Sequence, residues 1–359
     1  WVKFFPALFG SLTILVVWKT IERLKGNLFA LILGATCVLF SSLLRLNTLY
    51  QPNSLDVLCW ATAYFFLITY FNTKKSKYLY LLASVFAIGF LNKYNILFLI
   101  IGLIPAILIT NQRNILFKKE LYRAILLALA IMLPNLIWQY THNFPVIRHM
   151  EELSATQLVN VDRIEFLQSQ ILFFIGALPV IIAGLCALLF YRPFKNYQSF
   201  FWAFFFTLIV FMYFRAKDYY AIGLYPIYIA FGSVFLADVL KAGWKRYLKP
   251  VVIAIPLFIF IPTYQIAFPN KSPEWIVNHS DAYKELGLLR WEDGKDHSLP
   301  QDYADMLGWK ELARKVDSVY ITLPNPHQTL VLCDNYGQAG AINYYTKQDI
   351  KAVSFNADY

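Results

Sequence analysis

Residues 46–60 read LNTLYQPNSLDVLCW, a short polar stretch between two long apolar runs, with Asp56 at the mouth of the second run. A carboxylate there must be hydrated, paired or protonated, because an unpaired charge at a bilayer centre costs about 3 kcal/mol even on the most lenient insertion scale. Pro52, Asn53 and Ser54 are turn and N-cap residue types. A helix starting near Ser54 puts Asp56 in its first turn, where the helix dipole favours negative charge. Capping alone would account for Asp56 as well as a functional role would, and both readings stand at this point.

Working outward, the 359 residues are 58% hydrophobic and 18% aromatic, with a mean hydropathy of +0.48. Repeated apolar runs near twenty residues with this composition define a mainly α, polytopic membrane protein. The net charge of +10 does not point to nucleic acid, because the basic residues are scattered between the apolar runs. The four cysteines, Cys37, Cys59, Cys186 and Cys333, show no spacing of a disulfide framework or metal site. The chain opens on Trp1 and closes on FNADY, which reads as a piece of a longer protein.

Ten spanning runs are expected, over 4–18, 27–44, 55–71, 78–91, 95–110, 124–139, 166–190, 200–214, 220–240 and 250–268. Alternate connections differ sharply in charge. Those at 19–26, 72–77, 111–123, 191–199 and 241–249 hold sixteen Lys and Arg, whereas the opposite set holds six. The positive-inside rule makes the first set cytoplasmic and puts Trp1 and the C-terminal tail outside. On the outer side, 140–165 is a long polar connection whose EEL run suits a short helix along the membrane surface. Two domains follow from this pattern: a multi-pass domain over 1–268 and a small extracytoplasmic α/β domain over 269–359. In the tail, 302–320 has the period of an amphipathic helix, and 329–345 reads as a buried strand, a turn at 335–337 and a helix start. The NYGQAG run lacks the spacing of a dinucleotide fingerprint.

Four places bring polar groups to the outer ends of spans. They are Arg45 with Asn53 and Asp56; LNKYN at 91–95, with Lys93 and Tyr94; PNLIWQYTH at 134–142, where Asn135 and Gln139 lie one turn apart and His142 follows; and RAKDYY at 215–220, with Lys217, Tyr219 and Tyr220. A lone Lys at a helix end commonly snorkels. These cations, however, lie on the side that the topology rule depletes. Lys and Arg beside Tyr, Asn and Gln suit an anionic head group bearing sugar hydroxyls. Asp56 would then supply or orient a general base, or pair with a cation. Two-His zinc spacings are missing, so no zinc is expected.

The motifs QPNSLDVLCW, GFLNKYNILF, LPNLIWQYTHNFP, RAKDYYAIGLYPIYIAFG and DNYGQAGAINYY together resemble the polyprenyl-phosphate-dependent GT-C glycosyltransferases. The likeness is to the glycosyltransferase-39-like branch that holds protein O-mannosyltransferases and lipid A aminoarabinose transferases. It implies a multi-pass enzyme of the plasma (bacterial inner) membrane with an outward cavity. There a membrane lipid donor, a polyprenyl-phosphate-linked sugar, meets a lipid, glycan or protein acceptor, and the sugar is transferred with inversion. By this resemblance Asp56 matches the second acidic residue of such enzymes, and Lys217, Tyr219 and Tyr220 match a Lys-x-Tyr-Tyr pattern. Asn53, Lys93, Tyr94, Gln139 and His142 would line the substrate site. The main catalytic carboxylate of the family would lie before Trp1, so this stretch alone is expected to be inactive. No cofactor is implied, and a divalent ion at the donor phosphate stays open. The competing reading is a lipid or sugar transporter or flippase. It is disfavoured by charges gathered at one face and by the lack of an internal repeat.

Overall fold

The computed structural model describes residues 1–355, so 356–359 of the expected second domain lie outside the described residues. In chain order the helices are α1 (Phe4–Arg23), α2 (Leu28–Leu39), α3 (Ser42–Leu46), α4 (Asn53–Thr73), α5 (Lys77–Asn92), α6 (Leu97–Leu108) and α7 (Lys119–Thr141). They continue as α8 (Pro145–Thr156), α9 (Arg163–Phe173), α10 (Leu178–Phe190), α11 (Gln198–Tyr213), α12 (Pro226–Val239) and α13 (Lys249–Ala267). The tail adds α14 (Pro273–Asn278), α15 (Ser280–Glu285), α16 (Gln301–Ala304), α17 (Trp309–Tyr320) and α18 (Tyr336–Tyr345), with strands β1 (Val331–Cys333) and β2 (Ala352–Ser354). Two compact units result, one of residues 1–138 and 161–268, the other of 139–160 and 269–355.

The first unit is a helical bundle. Among the described residues four helices are long and apolar enough to span: α1, α4, α7 and the 243–267 stretch that ends in α13. Two of the expected single runs are bent pairs instead. The run at 166–190 breaks between α9 and α10 at 102°, and that at 220–240 breaks by 45° between the 3-10 turn Asp218–Leu224 and α12. The physical reasons are local. Pro179 is the second residue of α10 and Pro226 the first of α12, where a proline lacks the N–H that a continuous helix would need. The run at 27–44 likewise stops at Leu39 and restarts as α3, whose N-cap Ser41 accepts from Leu43 N at 3.3 Å.

Alpha-4 is the most enclosed of the long helices, with Trp60, Tyr64 and Ile68 fully buried along one face. It packs on α1 and α5, while α6 packs on α11 and α10 on α12. The last crossing is close because Gly184 faces Gly232: a Cβ on Gly232 would overlap the Val180 carbonyl, and one on Gly184 would overlap that of Tyr228. Small residues at a helix crossing are how apolar bundles bring backbones together without a hydrophobic drive between helices. By contrast α7 and α13 turn most of their apolar side chains outward, as lipid-facing helices do.

In the second unit, α8 takes in the EEL run, entered through Phe144 in the left-handed region (φ 52°). The expected helix over 302–320 is two helices: α16 ends at Ala304 with Asp305 as its C-cap, and Gly308, in the left-handed region at φ 79°, is the N-cap of α17. The strand expected in 329–345 falls at β1, half-buried rather than buried. It pairs in parallel with β2, Val331 against Ala352 and Cys333 against Ser354, through the crossover helix α18. Asn335 is the N-cap of α18, accepting from Gln338 N at 2.9 Å, so the helix begins inside the expected turn. Tyr320, Ala339, Ile342, Ile350 and Ala352 form the unit's small core.

Candidate functional site

Three segments of the first unit meet at one half-buried cation, Lys93. The α5–α6 connection is short and polar, and it places Lys93 in extended backbone (φ −160°) between Asn92 and the 3-10 turn Tyr94–Ile96. Asn92 Nδ2 donates to the Pro52 carbonyl at 2.9 Å, which ties this connection to the start of α4. Lys93 Nζ then donates to Asn53 Oδ1 at 2.7 Å, while Asn53 Nδ2 donates to Gln51 Oε1 at 2.9 Å. The third segment supplies rings. Lys93 Nζ lies 4.1 Å from the Tyr220 ring centroid and 5.0 Å from that of Tyr219. Ring faces attract a cation by about 2 kcal/mol where water is excluded.

Asp56 lies one turn into α4 and is buried, 4% exposed. The N-cap of α4 is Pro52, whose side chain makes no capping bond, and Asp56 is the acidic residue of the first turn. Its Oδ2 accepts from Asn95 Nδ2 at 2.8 Å. Asp56 thus keeps the first-turn place that the capping reading expects, with one carboxylate oxygen directed at the α5–α6 connection. Asp56 and Lys93 act on one another electrostatically, as do Lys93 and Lys217. Burial lowers the pKa of the Lys93 ammonium to about 8, Asp56 opposes that shift, and Lys217 reinforces it. A cation partly withdrawn from water gains more from an anionic partner than a fully hydrated one does.

The tyrosine segment is held from behind. Gln170 of α9, itself buried, donates from Nε2 to the Asp218 carbonyl at 2.9 Å and accepts from Tyr225 Oη at 3.2 Å. Gly223 packs against Trp60 of α4, where an added Cβ would stand 2.7 Å from Cγ of the indole. Tyr94 Oη donates to Asn135 Oδ1 at 3.0 Å, extending the polar network to α7.

Within the first unit, then, the structure gathers Asn53, Asp56, Lys93, Tyr94, Lys217, Tyr219 and Tyr220. Gln139 and His142 fall in the second unit. There Gln139 Oε1 accepts from Val146 N at 3.4 Å at the start of α8, and His142 Nδ1 lies 3.1 Å from Thr141 Oγ1. Arg45, expected beside Asn53, donates to Thr48 Oγ1 at 3.1 Å. Gln170 escaped the sequence reading, although a glutamine within IEFLQSQILFF, inside an expected span, is an amide that must find partners.

Helices of spanning length place the chain among membrane proteins, and at the head of α4 a half-buried lysine and a buried carboxylate act on one another. Residues 1–138 match the model of the dolichyl-phosphate-mannose-protein mannosyltransferase family, which supports assignment to the GT-C-type membrane glycosyltransferases. The matched region carries Asn53, Asp56, Lys93, Tyr94 and Asn95, while Lys217, Tyr219 and Tyr220 lie beyond it. No curated relative and no solved structure matches the chain.

Proposed function

We propose that the protein transfers a sugar from a polyprenyl-phosphate donor to a lipid, glycan or protein acceptor at the outer face of the plasma membrane, with inversion at the anomeric carbon. The observation that carries this reading is Lys93: a half-buried ammonium bonded to Asn53, walled by two tyrosine rings and accompanied by Lys217. In the reaction, the acceptor oxygen forms a bond to the anomeric carbon as the bond from that carbon to the phosphate oxygen breaks. The bonding electrons leave on the polyprenyl phosphate, and the acceptor proton passes to a base. Lys93 and Lys217 meet the charge that grows on the departing phosphate, the kind of interaction that strengthens in the transition state. Asp56 stands where it can orient the acceptor or its base, with Asn95 fixing one carboxylate oxygen. Tyr219 and Tyr220 set ring faces around the cation that meets the phosphate, and Tyr94 joins the site to Asn135 of α7.

The test is release of undecaprenyl phosphate from undecaprenyl-phosphate-linked mannose and aminoarabinose by membranes containing the protein. Release that Lys93→Ala abolishes supports the reading. Transbilayer movement of the lipid without release would establish a flippase instead.

A further inference from the structure

Asn95 spends both N–H bonds of a single amide nitrogen on groups that belong to different segments. It lies in the 3-10 turn after Lys93, 5% exposed. Its Nδ2 donates to Asp56 Oδ2 at 2.8 Å and to the Tyr220 carbonyl at 2.9 Å. One side chain therefore ties α4, the α5–α6 connection and the 218–224 turn together at the point where they carry the carboxylate, the cation and the rings. Among uncharged side chains only an amide has two donors on one atom; a hydroxyl has one hydrogen and a carboxylate none. Since the amide nitrogen can only donate, it faces Asp56 as an ionised acceptor suits it. By holding the main chain of Tyr220, it also fixes the ring that lies 4.1 Å from Lys93 Nζ.

We propose that Asn95 is the positioning residue of this site, setting the Asp56 carboxylate and the tyrosine wall of Lys93 in one fixed relation. The proposal rests on the glycosyl-transfer reading. Misplacement of groups by about 1 Å costs on the order of 100-fold in rate, so loss of this link has a measurable effect.

The decisive variant is Asn95→Asp. It sets a second carboxylate against Asp56, and two such groups ionise together only with difficulty but share one proton readily. In acid, the shared proton restores the donor toward Asp56 but not the one toward the Tyr220 carbonyl. Rates of undecaprenyl phosphate release from undecaprenyl-phosphate-linked mannose are compared with wild type at each pH, alongside binding of undecaprenyl phosphate by native mass spectrometry. Asn95→Asp is expected to lose about 100-fold near pH ~7 and to recover about 10-fold of that loss near pH ~5, the remainder being the missing bond to the Tyr220 carbonyl. Asn95→Ala, which has no proton to share, loses activity to a similar extent at both. Recovery in acid shows in itself that the variant is folded. Equal losses for Asn95→Asp at both pH values, or an Asn95→Ala enzyme within about 3-fold of wild type, would overturn the proposal. If wild type binds the lipid phosphate but releases none from the donor, the transfer reading falls. The same acid-dependent recovery, read then in lipid-phosphate binding, still decides the role of Asn95. If wild type neither binds nor releases the lipid, both fall.

Discussion

Lys93 Nζ lies 4.1 Å from the centre of the Tyr220 ring, although 127 residues separate the two along the chain. A ring face stabilises an ammonium without consuming its hydrogen-bonding capacity. Of the three N–H bonds on Nζ, the structure shows one, to Asn53. The arrangement is a charged group partly withdrawn from water, a setting in which a point charge contributes more to a developing anion than it would in bulk water.

Removing that charge is the most direct test. Lys93→Ala is expected to lower kcat/KM for release of polyprenyl phosphate by about 100- to 1,000-fold, the range seen when one donor to a developing anion is lost. Lys93→Arg should recover part of this, because the charge remains while the planar guanidinium must fit between the tyrosine faces. A Lys93→Ala enzyme with unchanged kcat/KM would remove Lys93 from the site.

The pH profile follows from the same burial. Lys93 is protonated below its pKa of about 8 and neutral above it, whereas an unperturbed lysine keeps its charge beyond pH 10. Free-enzyme groups appear in kcat/KM, so this parameter should fall as pH rises through about 8. Lys217 depresses the Lys93 pKa, so Lys217→Gln should move that alkaline limb to higher pH while also weakening phosphate binding. A limb near pH ~10 in the wild type would mean that Lys93 is hydrated in the working protein.

Packing gives a prediction independent of chemistry. Gly232→Ala puts a methyl where the Val180 carbonyl stands, and both helices would have to part at the α10–α12 crossing. Overpacking of this kind costs about 1–3 kcal/mol, so the thermal midpoint in detergent should fall. Gly340 in α18 has open space where its Cβ would be, and Gly340→Ala is expected to raise stability by up to about 1 kcal/mol through helix propensity. Equal midpoints for the two variants would mean that the α10–α12 crossing is looser than this geometry.

Much of this was legible in the chain, for particular physical reasons. The apolar runs had to be helices, since a backbone in lipid must satisfy its own hydrogen bonds. Lys93 and Asp56 stood out because ionisable groups at the ends of apolar runs need partners. Which partners they have was not legible. Asn95 reaches Tyr220 across 125 positions, and Tyr225 reaches Gln170 across 55, separations that leave no periodicity to read. The break between α9 and α10 was hidden for a similar reason: hydropathy stays high through Phe173, Phe174 and Ile175 while the chain turns by 102°. In the tail, β2 is only three residues long, and nothing in AVS marks it as the partner of VLC.

Gln170 offers the last and most discriminating test, because it touches the tyrosine segment without belonging to the cation cluster. Its amide supplies a donor to the Asp218 carbonyl and an acceptor to the Tyr225 hydroxyl, both in the interior between α9 and the 218–224 turn. Gln170→Leu keeps the volume but withdraws both, and a buried polar group that loses its partner costs about 1–3 kcal/mol. Gln170→Glu keeps an acceptor for Tyr225 but turns a carboxylate toward the Asp218 carbonyl, so only its protonated form can mend the bond. If Gln170 holds the segment in its working place, both variants should lose kcat/KM near neutral pH, and only Gln170→Glu should regain it in acid. If instead Gln170 contributes stability alone, the thermal midpoint will fall in both variants while kcat/KM stays within about 3-fold of wild type.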